Sequence, residues 1–430
     1  FFPILVGTFF QQLYNTVDAV VVGRFAGKEA LSSVGGSSSQ IINMVVGFFT
    51  GLSAGSTVII SQFYGARNKE RMHKALHTAY AFSIAFGIVF GILGVLFTPQ
   101  ILEAMNTPEN LMADSVLYVR IYFAGLIFIL IYNIGSAILR AIGDSKRPLY
   151  YLIVCCGVNI VLDLVFVLGM QLGVLGVAVG TLISQGISAV LVTRALMYHT
   201  EDLKLELGKI RIEKDLMETM LQIGLPTGIQ SCMYNLSNII VQTALNALGV
   251  DTMAAWTAFG KIDGLFWMMN GAFGIAATTF VGQNFGAGKY DRVKKGTQEC
   301  LLMSASCALL FSAVVMPSGA FLFGIFSTDA SVVQIGLRMM HVISPTYFLF
   351  TFIEIYSGSL RAQGHVLVST IMTMTGICLL RIVWTTLIVP KGTLEQIISC
   401  YPITWLVTAV CMIVYYFYKQ KRIFAAHEVV

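Results

Sequence analysis

The sequence predicts an all-α polytopic membrane protein, with twelve transmembrane helices in two pseudo-symmetric six-helix lobes. Three observations carry that expectation. Hydrophobic residues make up 56% of the 430 positions and charged residues only 11%, where a soluble domain carries roughly 25% charged residues. Apolar stretches of about 20 residues, the length that crosses a hydrocarbon core of about 30 Å, recur along the whole chain. Finally, short motifs return at one fixed offset. Gln62-Phe63-Tyr64-Gly65-Ala66 is echoed by Gln283-Asn284-Phe285-Gly286-Ala287, and Leu139-Arg140-Ala141-Ile142-Gly143 by Leu360-Arg361-Ala362-Gln363-Gly364, both 221 positions downstream. A soluble enzyme is excluded, because 27 Lys+Arg and 22 Asp+Glu cannot cover the surface of two or three soluble domains. The net charge of +5 contains no basic block of the kind that binds nucleic acid.

The predicted spans run approximately over 2–23, 35–63, 76–98, 114–139, 148–169 and 173–197 in the first half. In the second they cover 217–248, 255–284, 298–326, 333–360, 366–389 and 396–418. Each must be helical, because an open strand would leave backbone groups unpaired in lipid. With the N-terminus inside, twenty of the 27 Lys and Arg fall in inside loops. Only Arg24, Lys28 and Lys391 fall outside, while Arg120, Lys261, Arg338 and Arg381 lie within helices. This asymmetry places both termini in the cytoplasm. The amphipathic, charged segment 198–216 divides the spans six and six. It predicts an N-lobe of 1–197, a cytoplasmic linker and a C-lobe of 217–430. Six helices per repeat is an even number, so both halves insert the same way and a cavity between them is expected.

An acid or base within a helix centre costs about 2.5 to 3.5 kcal/mol on insertion scales, so each one needs a reason. In the first span Gln11, Tyr14, Asn15 and Asp18 share one face at three- and four-residue spacing, and Asn159 and Asp163 share one in the fifth. Counting from the outer helix ends at 1.5 Å per residue puts Asp18 and Asp163 about 9 Å deep and Thr181 of the sixth span about 12 Å deep. Three helices thus bring Asp18, Asn159, Asp163 and Thr181 to one level. Two carboxylates in a dry pocket resist double ionisation, so the pair suits a proton or a monovalent cation such as Na+. Hydrogen bonding that merely locks the helices together is the alternative. Pro3 and Pro226, at matching places, read either as bends or as helix-start prolines.

The second half does not copy the acids: Asp18 aligns with Val241 and Asp163 with Trp384. Its seventh span instead carries a neutral stripe of Gln230, Tyr234, Asn238 and Gln242. Charges appear at Lys261 and Asp263, at Glu354 and at Arg381. Asp263 and Arg381 lie at equal depth, which predicts an ion pair between them, functional or structural; Glu354 lies deeper and reads as a separate cation contact. Arg120 and Arg338 read as snorkelling groups. His73 and His77, one turn apart beside a basic loop, read as solvated. The stretch GQNFGAGKY lacks the first Gly and the Ser or Thr of a phosphate loop, so no ATPase is read here. The eight cysteines lie mostly in apolar stretches without metal-ligand spacing and read as small hydrophobes. Gly47, Gly51 and Gly55 read as a close helix-packing face.

Taken together, Val17-Asp18 with Val22-Gly23, the Gln62–Ala66 motif and its repeat, the paired Leu-Arg-Ala-x-Gly motif and Asn159-x-x-x-Asp163 resemble the multidrug and toxic compound extrusion (MATE) family over essentially the full length. The resemblance implies a secondary transporter of the cell inner membrane, working as a monomer without cofactor. It would export cationic, amphipathic small molecules against inward H+ or Na+. In the DinF-like branch the positions matching Gln11, Tyr14, Asp18, Asn159, Asp163 and Thr181 form the N-lobe coupling site, and the match to Pro3 is its bending proline. The NorM-like branch carries C-lobe acids where Asn235 approximately falls and near Phe350, one turn from Glu354; this chain departs from that pattern. Asn235, Asn238, Lys261, Asp263, Glu354 and Arg381 are the candidate C-lobe contacts. A flippase of lipid-linked saccharides, a related architecture, is the competing expectation; it calls for a more cationic cavity.

Overall fold

The computed structural model describes residues 1–198 and 203–427, apart from the side chains of Tyr14, Asn15, Ala19, Lys28 and 424–427. The described residues form helices in the places of the twelve expected spans and no strand. In the first half these are α1 (Phe2–Val21, continued by a π-helical turn Val22–Ala26), α2 (Lys28–Gly35 and Ser37–Gly65), α3 (Lys69–Ala104), α4 (Glu109–Ala124 and Leu126–Ala141), α5 (Lys146–Asp163, continued by a π-helical turn Leu164–Gly169) and α6 (Gly173–Met197). In the second they are α7 (Lys214–Asn246), α8 (Val250–Gly286), α9 (Tyr290–Val315 and Gly319–Phe326), α10 (Ala330–Ile343 and Tyr347–Ala362), α11 (Val366–Ile388) and α12 (Leu394–Ile398 and Cys400–His427). Among the described residues eight helices are long and apolar enough to cross a membrane, or nine when the two pieces of α4, bent by 47°, count as one span. Polar positions dilute the remaining three, α1, α7 and α10, and these include the polar stripes read from the sequence.

Apolar side chains point outward in stripes where a soluble protein would carry charge. Ile88, Val89, Ile92 and Leu96 of α3 are exposed, as are Leu302, Leu309, Leu310 and Val314 of α9. Exposed apolar faces of this extent need a lipid cover.

The two sequence repeats are helix stops. At the end of α4 the Gly143 N–H donates to the Arg140 carbonyl at 2.9 Å and the Asp144 N–H to the Leu139 carbonyl at 2.9 Å, with Gly143 at φ 93°. At the end of α10, Gly364 N–H donates to Arg361 at 2.9 Å and His365 N–H to Leu360 at 2.8 Å, with Gly364 at φ 83°. This is the left-handed cap that satisfies the last carbonyls of a helix. The other repeat builds the same stop after α2 and α8, with Arg67 (φ 53°) and Gly288 (φ 68°) as the left-handed residues.

The chain divides into two compact units, Phe1–Gly228 and Ile229–Val430. The division falls within α7, two residues after its internal Pro226. In unit 1, α1 packs on α5, α5 on α6, and α4 against α2, α3 and α6. The first half of α7 joins this unit through a glycine seam. A Cβ on Gly51 would lie 2.6 Å from the Gly228 nitrogen, one on Gly55 2.1 Å from the Met220 carbonyl oxygen, and one on Gly224 2.3 Å from the Leu52 carbonyl oxygen. The small-residue spacing read at Gly51 and Gly55 therefore meets a matching Gly224-x-x-x-Gly228. The described part of segment 198–216 is docked rather than loose: Leu203 and Leu205 are buried, and the Glu213 N–H donates to Thr78 Oγ1 at 3.2 Å. His77, read as solvated, is 2% exposed. Its Nε2 accepts from the Glu206 N–H at 3.0 Å, so the segment itself covers the ring.

In unit 2, α8 packs on α9 and α10, and α10 on α9 and α12. Its core centres on Trp405, Tyr347, Phe259 and Phe266, with the rings of Phe266 and Tyr347 stacked at 4.0 Å. None of the eight cysteines is joined in a disulfide.

Candidate ion and ligand sites

Unit 1 buries the polar residues that the depth argument grouped. Asp18 is 5% exposed, Asn159 and Asp163 0%, and Thr181 6%. Thr181 Oγ1 donates to Asp18 Oδ2 at 3.5 Å, and Asn159 Nδ2 to Asp163 Oδ1 at 3.5 Å. The two carboxyl groups are neighbours, each acting directly on the other. Each acid comes just before a π-helical turn, Val22–Ala26 after Asp18 and Leu164–Gly169 after Asp163; the two turns touch each other, and both pack on α6. A π-turn widens the helix by one residue and recurs at functional sites.

Three acceptor oxygens in this cluster lack a hydrogen-bond partner among the described residues: Asp18 Oδ1, Asn159 Oδ1 and Asp163 Oδ2. Unpaired buried oxygens are costly, and a proton or a small cation would satisfy them. A void lined by Thr181 with Tyr118, Tyr122 and Gln185 among others, but by neither acid nor Asn159, is about 10 Å³. That is close to the lower limit for one water molecule.

Two further residues belong to this site that sequence reasoning missed. A Cβ on Gly180 would lie 2.5 Å from Asp163 Oδ1, so the glycine makes the room the carboxylate occupies. Tyr118 of α4 is near enough to feel the charge of both acids. A small residue beside Thr181 was a faint signal for the first; a tyrosine in an apolar helix gave none for the second. Gln11, two turns before Asp18, is exposed and outside the buried cluster, and the Tyr14 side chain lies outside the described residues. Pro3 sits in the first turn of α1, where proline removes no helical bond, whereas Pro226 lies inside α7.

Unit 2 holds a chamber of about 460 Å³ whose wall includes Trp256, Trp267, Phe350, Tyr401 and Trp405, with Asn238, Asp263, Glu354 and Arg381 among its polar groups. The expected Asp263–Arg381 ion pair does not form. Asp263 accepts instead from Tyr347 Oη at 2.5 Å and from Trp267 Nε1 at 2.6 Å. Arg381 donates to Asn238 Oδ1 at 2.8 Å and lies over the Tyr401 ring at 4.1 Å. Equal depth brought the two charges to one level, but neutral partners hold each of them: two donors for Asp263, an amide oxygen and a ring face for Arg381. α11 is π-helical on both sides of Arg381, at Met374–Leu379 and Trp384–Ile388. Asn235 turns back on its own helix, donating to the Ser231 carbonyl at 2.9 Å, and Lys261 is exposed. Neither lines the chamber.

Two helical halves, intramembrane acids and a ligand-sized chamber define a polytopic membrane carrier. The MatE family model matches the chain twice, over residues 3–165 and 226–387, one copy in each half. The chain belongs to the MatE family, a family of multidrug transporters rather than enzymes. It is 30% identical over 386 residues to the probable multidrug resistance protein YoeA of Bacillus subtilis (strain 168), covering 87% of this chain and 82% of that one. The multidrug export protein MepA of Staphylococcus aureus (strain NCTC 8325 / PS 47) is 20% identical, over 86% of this chain and 82% of its own. Among solved structures, the fold matches a MATE transporter in its bent conformation with a TM-score of 0.92 at 20% identity, covering 99% of this chain and 94% of that one. An outward-facing multidrug resistance MATE family transporter matches with a TM-score of 0.91 at 21% identity, covering 98% and 94%.

Proposed function

We propose that this protein is a secondary antiporter of the cell inner membrane, with both termini cytoplasmic. It expels cationic, amphipathic compounds in exchange for H+ or Na+. The observation that carries this reading is the buried Asp18–Asp163 pair with Asn159 beside it, one oxygen on each of the three having no hydrogen-bond partner among the described residues. The names of the relatives, multidrug resistance and multidrug export proteins, support the substrate class.

Asp18 and Asp163 are the coupling groups, Asn159 and Thr181 position them, and Gly180 leaves the space. The void that Thr181 lines, about 10 Å³, is far too small for a drug-sized molecule. Neutralising the pair weakens the attraction for a positively charged substrate, and substrate departure favours ion uptake, because coupling between two ligands is reciprocal. A substrate bound equally well whatever the state of the pair would be driven by nothing. Segment 198–216 serves as a cytoplasmic linker, and the chain works as a monomer.

The test is efflux of a cationic dye from loaded proteoliposomes, driven separately by a Na+ gradient and a pH gradient, for the parent chain, Asp18→Asn and Asp163→Asn. Loss of driven efflux in both variants, with passive leak unaltered, is the expected result. Undiminished gradient-driven efflux in either variant removes that residue from the coupling role.

A further inference from the structure

A single histidine ring joins α3 to the segment that leads into α7, and its two hydrogen bonds admit only one protonation state. His77 is 2% exposed beneath residues 203–213. Its Nδ1 lies 2.8 Å from the His73 carbonyl. A carbonyl only accepts, so Nδ1 carries a hydrogen and donates. Its Nε2 lies 3.0 Å from the Glu206 nitrogen. A backbone N–H only donates, so Nε2 is bare and accepts. Together the two partners require the neutral ring. A proton on Nε2 would set two donors face to face and leave the Glu206 amide without its acceptor.

The charged groups around the ring do not reverse this. His77 borders a cavity of about 660 Å³ whose charged lining comes from α3, with Lys69, Glu70, His73 and Lys74, and from the segment, with Lys209, Arg211 and Glu213. The acids there are already paired: Glu70 with Lys74 at 2.6 Å, Glu213 with Arg211 at 2.7 Å and Glu206 with Lys209 at 2.9 Å. The Lys209 ammonium holds the Glu206 carboxyl below its ordinary range, so Glu206 stays charged where histidine titrates. Its carboxylate lies 3.7 Å from Nε2 of His73. The His73 ring stands 4.2 Å from that of His77, and two imidazolium rings that close repel each other.

What the ring holds is more than one amide. The docked segment buries Leu203 and Leu205. It then enters α7 through the Glu213 N–H on Thr78 Oγ1 at 3.2 Å and the Arg71–Asp215 ion pair.

We propose that His77 is a pH-sensitive latch: neutral, it holds residues 203–213 and the entry of α7 to α3; protonated, it releases them. An exposed histidine takes up its proton near pH 6.5. Docking is therefore full above that pH and is lost as the pH falls below it. With the orientation proposed above, the pH read is that of the cytoplasm. The latch itself depends neither on that orientation nor on the coupling role of Asp18 and Asp163.

Hydrogen exchange of the full chain in detergent tests it, read by mass spectrometry over a peptide covering 203–213 and corrected at each pH for the intrinsic exchange rate. Between about pH 7.5 and 5.5 the protection of this peptide in the parent chain should fall about ten-fold, the factor by which protonation of a released histidine favours release. His77→Gln offers an acceptor that does not titrate, and its protection should not change between the two pH values. His73→Gln should keep the ten-fold fall, and it serves as the check should His77→Gln fail to fold. Equal protection of the parent chain at both pH values overturns the latch and would mean that the Glu206 carboxylate retains the charged ring. A fall that survives in His77→Gln overturns it too, as does one that vanishes in His73→Gln, which would assign the titration to His73.

Discussion

Unit 1 and unit 2 start from the same repeat and end with opposite interiors. In unit 1 the polar groups are squeezed together: two acids, an amide and a hydroxyl are all buried, and the void that the hydroxyl of Thr181 helps to line is about 10 Å³. In unit 2 the corresponding helices open onto about 460 Å³ walled by tryptophan, phenylalanine and tyrosine, with an arginine where unit 1 has an acid at nearby depth. The aligned positions differ in kind. Asp18 aligns with Val241 and Asp163 with Trp384, so unit 2 carries no acid at either place, and its chamber is lined by other residues. Both α5 and α11 nevertheless pass into π-helical turns near their critical residue, Asp163 and Arg381.

The sharpest way to break this contrast is to neutralise the tight side alone. Asp163→Asn is nearly isosteric, so its expected effect, a loss of driven efflux of about ten-fold or more, reports charge rather than packing; ten-fold corresponds to about 1.4 kcal/mol. Proteoliposome efflux under an imposed gradient reads it. Gly180→Ala tests the same site through space rather than charge. The added methyl would sit 2.5 Å from Asp163 Oδ1 and must push the carboxyl off its place. Driven efflux should fall several-fold. Efflux equal to the parent chain would show that the acid tolerates displacement, and the tightness of unit 1 would lose its meaning.

On the roomy side, Tyr347→Phe removes one of the two donors to Asp263 and leaves a half-buried carboxylate oxygen unpaired. The expected cost is about 1 to 3 kcal/mol, read as a lowered unfolding temperature in detergent. A silent substitution would mean that chamber water replaces the hydroxyl, which the aromatic wall argues against.

How much of this was legible in the chain follows from what a linear sequence encodes. Length, apolarity and basic residues mark where helices cross, so the spans could be placed in order. Counting residues from a helix end gives depth, and depth alone grouped Asp18, Asn159, Asp163 and Thr181, which the fold buries together. Depth says nothing of azimuth. Asp263 and Arg381 share a level but turn to different partners, and the pairing expected from level alone failed. His77 failed for a related reason: its cover, residues 203–213, lies more than a hundred positions away. Tyr118 and the aromatic chamber were illegible because an apolar helix shows no mark of which of its rings will face a cavity.

The smallest expected effect tests the repeat itself, at positions far from either site. Arg67 and Gly288 are equivalent, 221 positions apart, and both close a helix in the left-handed conformation, at φ 53° and 68°. An L-residue with a side chain pays about 1 to 2 kcal/mol there, and glycine does not. Unit 1 should therefore carry strain at this cap that unit 2 lacks. Arg67→Gly should raise stability by about 1 kcal/mol, less whatever the extra freedom of an unfolded glycine removes. Gly288→Ala should lower it by a similar amount. A Cβ on Gly288 would meet nothing within 4 Å, so the second variant isolates backbone strain from crowding. Thermal unfolding of both variants in the same detergent reads the pair. Shifts of opposite sign support equivalent caps; a stabilised Gly288→Ala would mean that the two helix stops share a sequence motif without sharing a conformation.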